Sequence, residues 1–201
     1  MKTPERAAAV AALRRHIAEV APHRPVHRFL PTGIERLDER IGGFGALTVI
    51  SGAAGTGRWA LVLPSIQALT RSDRTVAIVD VRGWFHPPGL HRVDLSRILL
   101  VRPGPDRALW AAEQLARSSA TALVVVLDLP RQGRAGRRLL AAAESGRTPV
   151  IVLQDERDLD LPAGLCLAMT QSDGERSVAV SRDPSGRTTG APLALRSLID
   201  P

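Results

Sequence analysis

Unbroken apolar runs set the frame of this chain. TALVVVLD (121–128) is apolar at consecutive positions, a pattern that requires burial on both faces and predicts a parallel strand inside a sheet. ALTVIS (46–51), RTVAIVD (74–80), RILLV (97–101) and TPVIVLQ (148–154) read as further strands. Segments with helical spacing lie between them. One runs from about residue 57 to 69. PDRALWAAEQLARS (105–118) puts Leu109, Ala112, Leu115 and Ala116 on one face, and GRAGRRLLAAAESG (133–146) closes on Gly146. LCLAMT (165–170) and RSVAVS (176–181) flank QSDGE, which predicts a hairpin turning at Asp173-Gly174. Strands that alternate with helices and finish in a hairpin predict an α/β fold. Its sheet is open, mostly parallel, with an antiparallel C-terminal edge.

The two ends differ from this middle. Val10, Leu13, Ile17 and Val20 form one apolar stripe over residues 3–20, with Thr3 as cap, Pro4 at the first helical position and Glu5 at the positive end. Pro22 and Pro25 stop that helix and begin an extended linker. The stripe suits docking on its own domain or on a neighbour, and the pattern leaves both open. Residues 183–201 are rich in Pro, Gly and Thr and predict a partly mobile tail. The expected division is an N-terminal helix and linker (1–28), an α/β core (29–182) and a C-terminal tail (183–201).

Composition narrows the class. A chain of 201 residues is long enough to bury a core without staples. Its single cysteine, Cys166, sits in an apolar strand as a core residue and excludes an intramolecular disulfide. The longest apolar run, Ala122–Leu127, falls far short of the about 20 residues of a membrane span. The N-terminus carries charges through its apolar stretch and lacks a secretory core, so the chain is expected to be cytoplasmic and off the membrane. Net charge is +7, with Lys2 the only lysine. The surplus favours an acidic partner such as nucleic acid or an acidic protein face, while the Arg bias itself also follows from a GC-rich genome. Six aromatic residues and no Tyr argue against base-stacking platforms. His16, His23, His27, His86 and His91 show no metal spacing on one element, and no metal site is expected. Trp84-Phe85 reads either as an anchor tucked into the core or as one that holds a partner.

The candidate chemistry sits after the first strand. Gly52-Ala-Ala-Gly55-Thr-Gly57-Arg58-Trp59 joins a strand to a helix, where glycines let backbone N–H groups surround a phosphate. Gly52 and Gly57 have the spacing of a phosphate loop, whose next two residues are Lys and Ser or Thr. Here they are Arg58, larger and forked, and Trp59, which has no hydroxyl for Mg²⁺. Asp128, at the end of the most apolar strand, fits the carboxylate that holds the metal.

Taken together these segments resemble the RecA core over residues 29–182. Thr32, Gly33, Leu37, Asp38, Gly42 and Gly43 match the lead-in to the phosphate-loop strand. VAIVD (76–80) resembles the second strand, ALVVVLDLP (122–130) the metal-binding strand, and VIVLQ (150–154) the strand whose glutamine, Gln154 here, senses the γ-phosphate. The resemblance implies a RecA-like P-loop core. The departures are specific. Arg82 stands where the family has the glutamate that activates water, the segments after Asp128 and Gln154 are short, and no counterpart of the RecA C-terminal domain is expected. A trimmed core with a decayed phosphate loop is similar to the ImuA family, accessory proteins of SOS-induced mutagenic translesion DNA synthesis, and also to the SulA cell-division inhibitors.

The resemblance therefore implies an adaptor with no catalytic residues and no cofactor. Gly52, Gly55, Gly57, Arg58, Asp128 and Gln154 would form a vestigial nucleotide site. The implied partners are an ImuB-like polymerase subunit with a DnaE-type polymerase, and RecA or a second copy held through Val10, Leu13 and Ile17. Arg131, Arg134, Arg137 and Arg138 read either as a DNA-contacting patch or as a solvated helix face. A working ATPase of DNA repair and a SulA-like inhibitor are the alternatives.

Overall fold

The computed structural model describes residues 30–87, 90, 92–129, 136–155, 161–183 and 191–194. The expected helix with Val10, Leu13 and Ile17, the residues Arg131 and Arg134, and four of the histidines lie outside these residues.

One sheet of eight strands organises the described chain. The elements in order are α1 (Glu35–Ile41), β1 (Leu47–Ser51), α2 (Arg58–Arg71), β2 (Val76–Asp80), β3 (Ile98–Val101), α3 (Ala108–Ser118), β4 (Leu123–Leu127), α4 (Gly136–Gly146), β5 (Val150–Gln154), β6 (Leu165–Ser172), β7 (Glu175–Arg182) and β8 (Leu193–Ala194). The strand order is β3-β2-β4-β5-β1-β6-β7-β8. β3 through β6 run parallel, and β7 and β8 are antiparallel to their neighbours. The fold is thus α/β, mostly parallel, with an antiparallel C-terminal edge.

The apolar runs explain the layering. Every residue of β1, β2, β4 and β5 is buried. Alternate residues of each strand feed opposite layers, because successive side chains point to opposite faces. Val76, Ile78, Leu123 and Val125 join Leu37 and Ile41 of α1 and Leu61, Val62 and Ile66 of α2 in one cluster. Ala77, Val79, Val124 and Val126 join Ala108, Leu109, Ala112 and Ala116 of α3 and Leu139, Ala142 and Ala143 of α4 in the other.

The lead-in has a clear local logic. The Asp38 carboxylate accepts the backbone N–H groups of Thr32 (2.8 Å) and Gly33 (3.1 Å). Leu37 beside it is fully buried. Ser65 of α2 donates its hydroxyl to the Pro31 carbonyl (2.8 Å), which fastens the lead-in to the helix of the glycine loop.

The structure departs from the pattern in places. The turn at Pro105–Arg107 is a 3-10 turn, and α3 proper begins at Ala108. Leu115 is only half-buried whereas Glu113 is buried, because α4 covers the Glu113 side of α3. Leu193 and Ala194, in the segment expected to be tail, pair with Val178 and Ser177 and add the last strand.

Candidate functional site

β1 lies inside the sheet between β5 and β6. The chain leaves its carboxyl end for β2, three places away on the β5 side, while β6 lies on the other side. Open α/β sheets bind ligands at such a switch point, beyond the carboxyl ends of the strands. The glycine loop occupies it. Gly52 has φ +156, and a Cβ there would lie 2.7 Å from the Met169 Cβ and 2.8 Å from its carbonyl oxygen, so the close approach of β6 requires glycine. Gly57 caps α2 in the left-handed region at φ +92. The buried Thr56 donates its hydroxyl to the Ala53 carbonyl (2.8 Å), closing the loop on itself, while residues 53–55 are exposed.

Arg58 begins α2 and turns toward β5. Its Nη2 lies 2.6 Å from Oδ1 of Asp155, the residue after Gln154, and its side chain is 13% exposed. Trp59 follows Arg58 on the helix. It packs on the core with its ring 6.0 Å from that of Phe85. Gln154 is buried and donates Nε2 to the Leu129 carbonyl (2.8 Å), so its amide nitrogen holds the chain beyond β4. Asp128 follows β4 at φ +50, and its N–H donates to the Leu153 carbonyl (2.9 Å). Gly52, Gly55, Gly57, Arg58, Asp128 and Gln154 therefore gather at one sheet edge. Asp155, which sequence reasoning passed over, completes the cluster. Its signal was its place: an ionisable residue directly after a buried parallel strand lies on the ligand-facing edge.

The electrostatics are mutual. Burial raises the Asp128 carboxyl above its ordinary value of 3.8, the Asp155 charge adds to the rise, and Arg58 and Arg82 oppose it. A carboxyl raised by folding binds protons more readily in the native state. Its stabilising contribution is complete below 3.8 and disappears as pH climbs through the raised native value. Asn tolerates the left-handed backbone as well as Asp does. Asp128→Asn is accordingly expected to raise the melting temperature at neutral pH and to match the wild-type chain well below pH 3.8, which thermal melts across pH will check.

The loop after β2 splits the Trp84-Phe85 pair. Phe85 is buried and Trp84 is half-exposed. The fully buried Asp80 accepts the N–H groups of both, at 2.9 and 3.1 Å, and Nε of Arg102 at 3.3 Å. Arg82 is exposed with its guanidinium 4.8 Å from the Trp84 ring centre, a cation–π contact.

Of the four arginines beyond β4, two are described, and both are exposed on α4. Arg137 faces solvent, whereas Nη2 of Arg138 lies 2.8 Å from Oε2 of Glu113, a carboxylate only 1% exposed. Arg138 thus neutralises a buried acid, a task the sequence pattern did not signal.

A nucleotide with Mg²⁺ does not fit these residues. The cation at 58 is engaged by a carboxylate, the side chain at 59 is an indole packed on Phe85, and position 82 carries a cation in contact with Trp84. Among the described residues, no three of His, Cys, Asp and Glu are placed to hold a metal ion, and no helix is long and apolar enough to cross a membrane. No family model matches the chain, and no curated protein is significantly similar to it.

Proposed function

We propose that this chain is a RecA-like adaptor that does not hydrolyse ATP and acts in SOS-induced mutagenic translesion synthesis. One observation carries the reading: the three positions on which phosphate-loop turnover depends are each committed to an internal contact. Arg58 pairs with Asp155, Trp59 packs on Phe85, and Arg82 lies against Trp84. ATP hydrolysis requires a cation on the β/γ phosphates, a hydroxyl on the metal and a group that orients water. Loss of a positioned base alone lowers rate by about 10²–10⁴, and the other two are replaced as well. What remains is a rigid α/β body with a surplus of positive charge, suited to docking.

The glycine loop at the switch point, flanked by the ends of β5 and β6 with β4 next beyond β5, supports descent from a RecA-like core. The ImuA resemblance supplies the proposed partners: an ImuB-like polymerase subunit, and RecA or a second copy through the N-terminal stripe. DNA contact through the α4 face rests on Arg137 more than on Arg138, whose charge is balanced by Glu113.

A magnesium-dependent ATPase assay on pure protein is expected to give no turnover above buffer. Turnover at RecA-like rates, abolished by Arg58→Ala, overturns the reading. Co-expression with an ImuB-like subunit is expected to give a complex on gel filtration. Retention of FtsZ in its place points to a division inhibitor and overturns the translesion role.

A further inference from the structure

The residues of the glycine loop disagree with the nucleotide their pattern implies, and the disagreement has a specific form. Arg58 stands where a phosphate loop has the lysine that reaches the β/γ phosphates. Its guanidinium is nearly buried and holds the Asp155 carboxylate at 2.6 Å. Its other terminal nitrogen, Nη1, is buried without a hydrogen-bond partner. We infer that Asp155 is the resident anion of this loop, a carboxylate of the chain itself that engages Arg58 in place of a phosphate and shuts the loop to nucleotides. The inference rests on the reading of the loop as a former phosphate loop and names what closes it.

The backbone makes the closure durable. Asp155 directly follows β5, whose last residue, Gln154, pairs in register with Ser51 at the end of β1. The Gly52 N–H donates to the Gln154 carbonyl (3.0 Å), so the loop's first residue and the acid's neighbour are tied together. A carboxylate held this way competes at an effective concentration on the order of millimolar or higher, because it has no translational freedom left to lose. An entering phosphate must displace it and then face the repulsion of Asp155 and Asp128 together.

The test is calorimetric titration of the full chain at low ionic strength with inorganic pyrophosphate and, separately, with MgADP. Asp155→Asn removes the charge that holds Arg58 and Asp155→Ala removes the acceptor as well, and both are expected to bind pyrophosphate at least tenfold tighter than the wild-type chain. Adding Arg58→Ala is expected to remove that gain. Asp155 is 40% exposed, so both variants should fold, and their melting temperatures report whether they do. The inference is overturned by equal affinity in wild-type and variant chains, by a gain that survives Arg58→Ala, or by micromolar MgADP binding to the wild-type chain. Its failure is separable from failure of the adaptor reading. Variants that ignore pyrophosphate, with a wild-type chain that hydrolyses no ATP, remove the closure and leave the adaptor. Turnover by the wild-type chain removes the adaptor whatever the titrations give.

Discussion

Gly146→Ala is expected to destabilise the fold by about 3 kcal/mol, at the upper end of overpacking effects. Gly146 ends α4 against the backbone of α3. A Cβ there would sit 1.9 Å from the Ala116 carbonyl oxygen and 2.8 Å from its carbon. Both atoms are main chain, so no rotamer change relieves the clash and the two helices must part. Parting breaks further contacts. Ala112, Ala116, Ala142 and Ala143 permit the close approach, and their burial depends on it. Ser119 and Thr148 also donate their hydroxyls to the Gly146 carbonyl, at 2.9 and 3.2 Å. A chain of this size loses roughly 2–4 °C of melting temperature per kcal/mol, so a fall of about 6–12 °C is expected in calorimetry. A fall under 2 °C would mean that α3 and α4 separate freely and that their close packing contributes little.

Gly146 also marks how far the sequence could be read. It was legible as the end of a helix, because glycine after an apolar-periodic stretch is a stop signal. That it lies against Ala116 was not legible, because helix contacts depend on how two elements are laid over the sheet. The same boundary runs through the whole molecule. The buried strands were readable from TALVVVLD and TPVIVLQ, since an unbroken apolar run of strand length calls for a two-sided buried environment. The glycine loop was readable because its residues are contiguous. Asp155 was not readable as the partner of Arg58, since the pair forms only when β5 takes its place beside β1. Glu113 was hidden among the alanines of α3, and its burial follows from Arg138 on a helix that arrives later in the chain. Trp84 and Phe85 read as one apolar unit because they are adjacent, yet the turn held by Asp80 sends one outward and the other into the core. β8 escaped notice because two residues carry no detectable period.

Asp80→Ala is expected to be as damaging as Gly146→Ala, for an electrostatic reason. Asp80 ends β2 with no exposed surface, and its two oxygens accept from the Trp84 and Phe85 N–H groups and from Arg102. Alanine leaves those amides without their acceptor. An orphaned buried donor costs about 1–3 kcal/mol, and the Phe85 amide is fully enclosed, so a total near 3 kcal/mol is expected. In Asp80→Ala the Arg102 side chain, 55% exposed, regains a hydrogen bond from water and adds little to the loss. Arg102→Ala leaves both amide hydrogen bonds to the carboxylate in place and should cost less than Asp80→Ala. Asp80→Asn keeps one carbonyl acceptor but turns an NH₂ toward a donor, and should fall between the two. Melting temperatures rank the three variants, and limited proteolysis within residues 81–87 reports whether the loop has opened. Equal losses for Arg102→Ala and Asp80→Ala would show that the carboxylate is kept for its ion pair and not for the turn. The expected ranking bears on function, because an Asp at the carboxyl end of a parallel strand invites a catalytic reading. Here its oxygens are taken by the turn that carries Phe85, whose ring lies 6.0 Å from that of Trp59. Loosening the turn with Asp80→Ala should therefore cost stability without creating any ATPase activity.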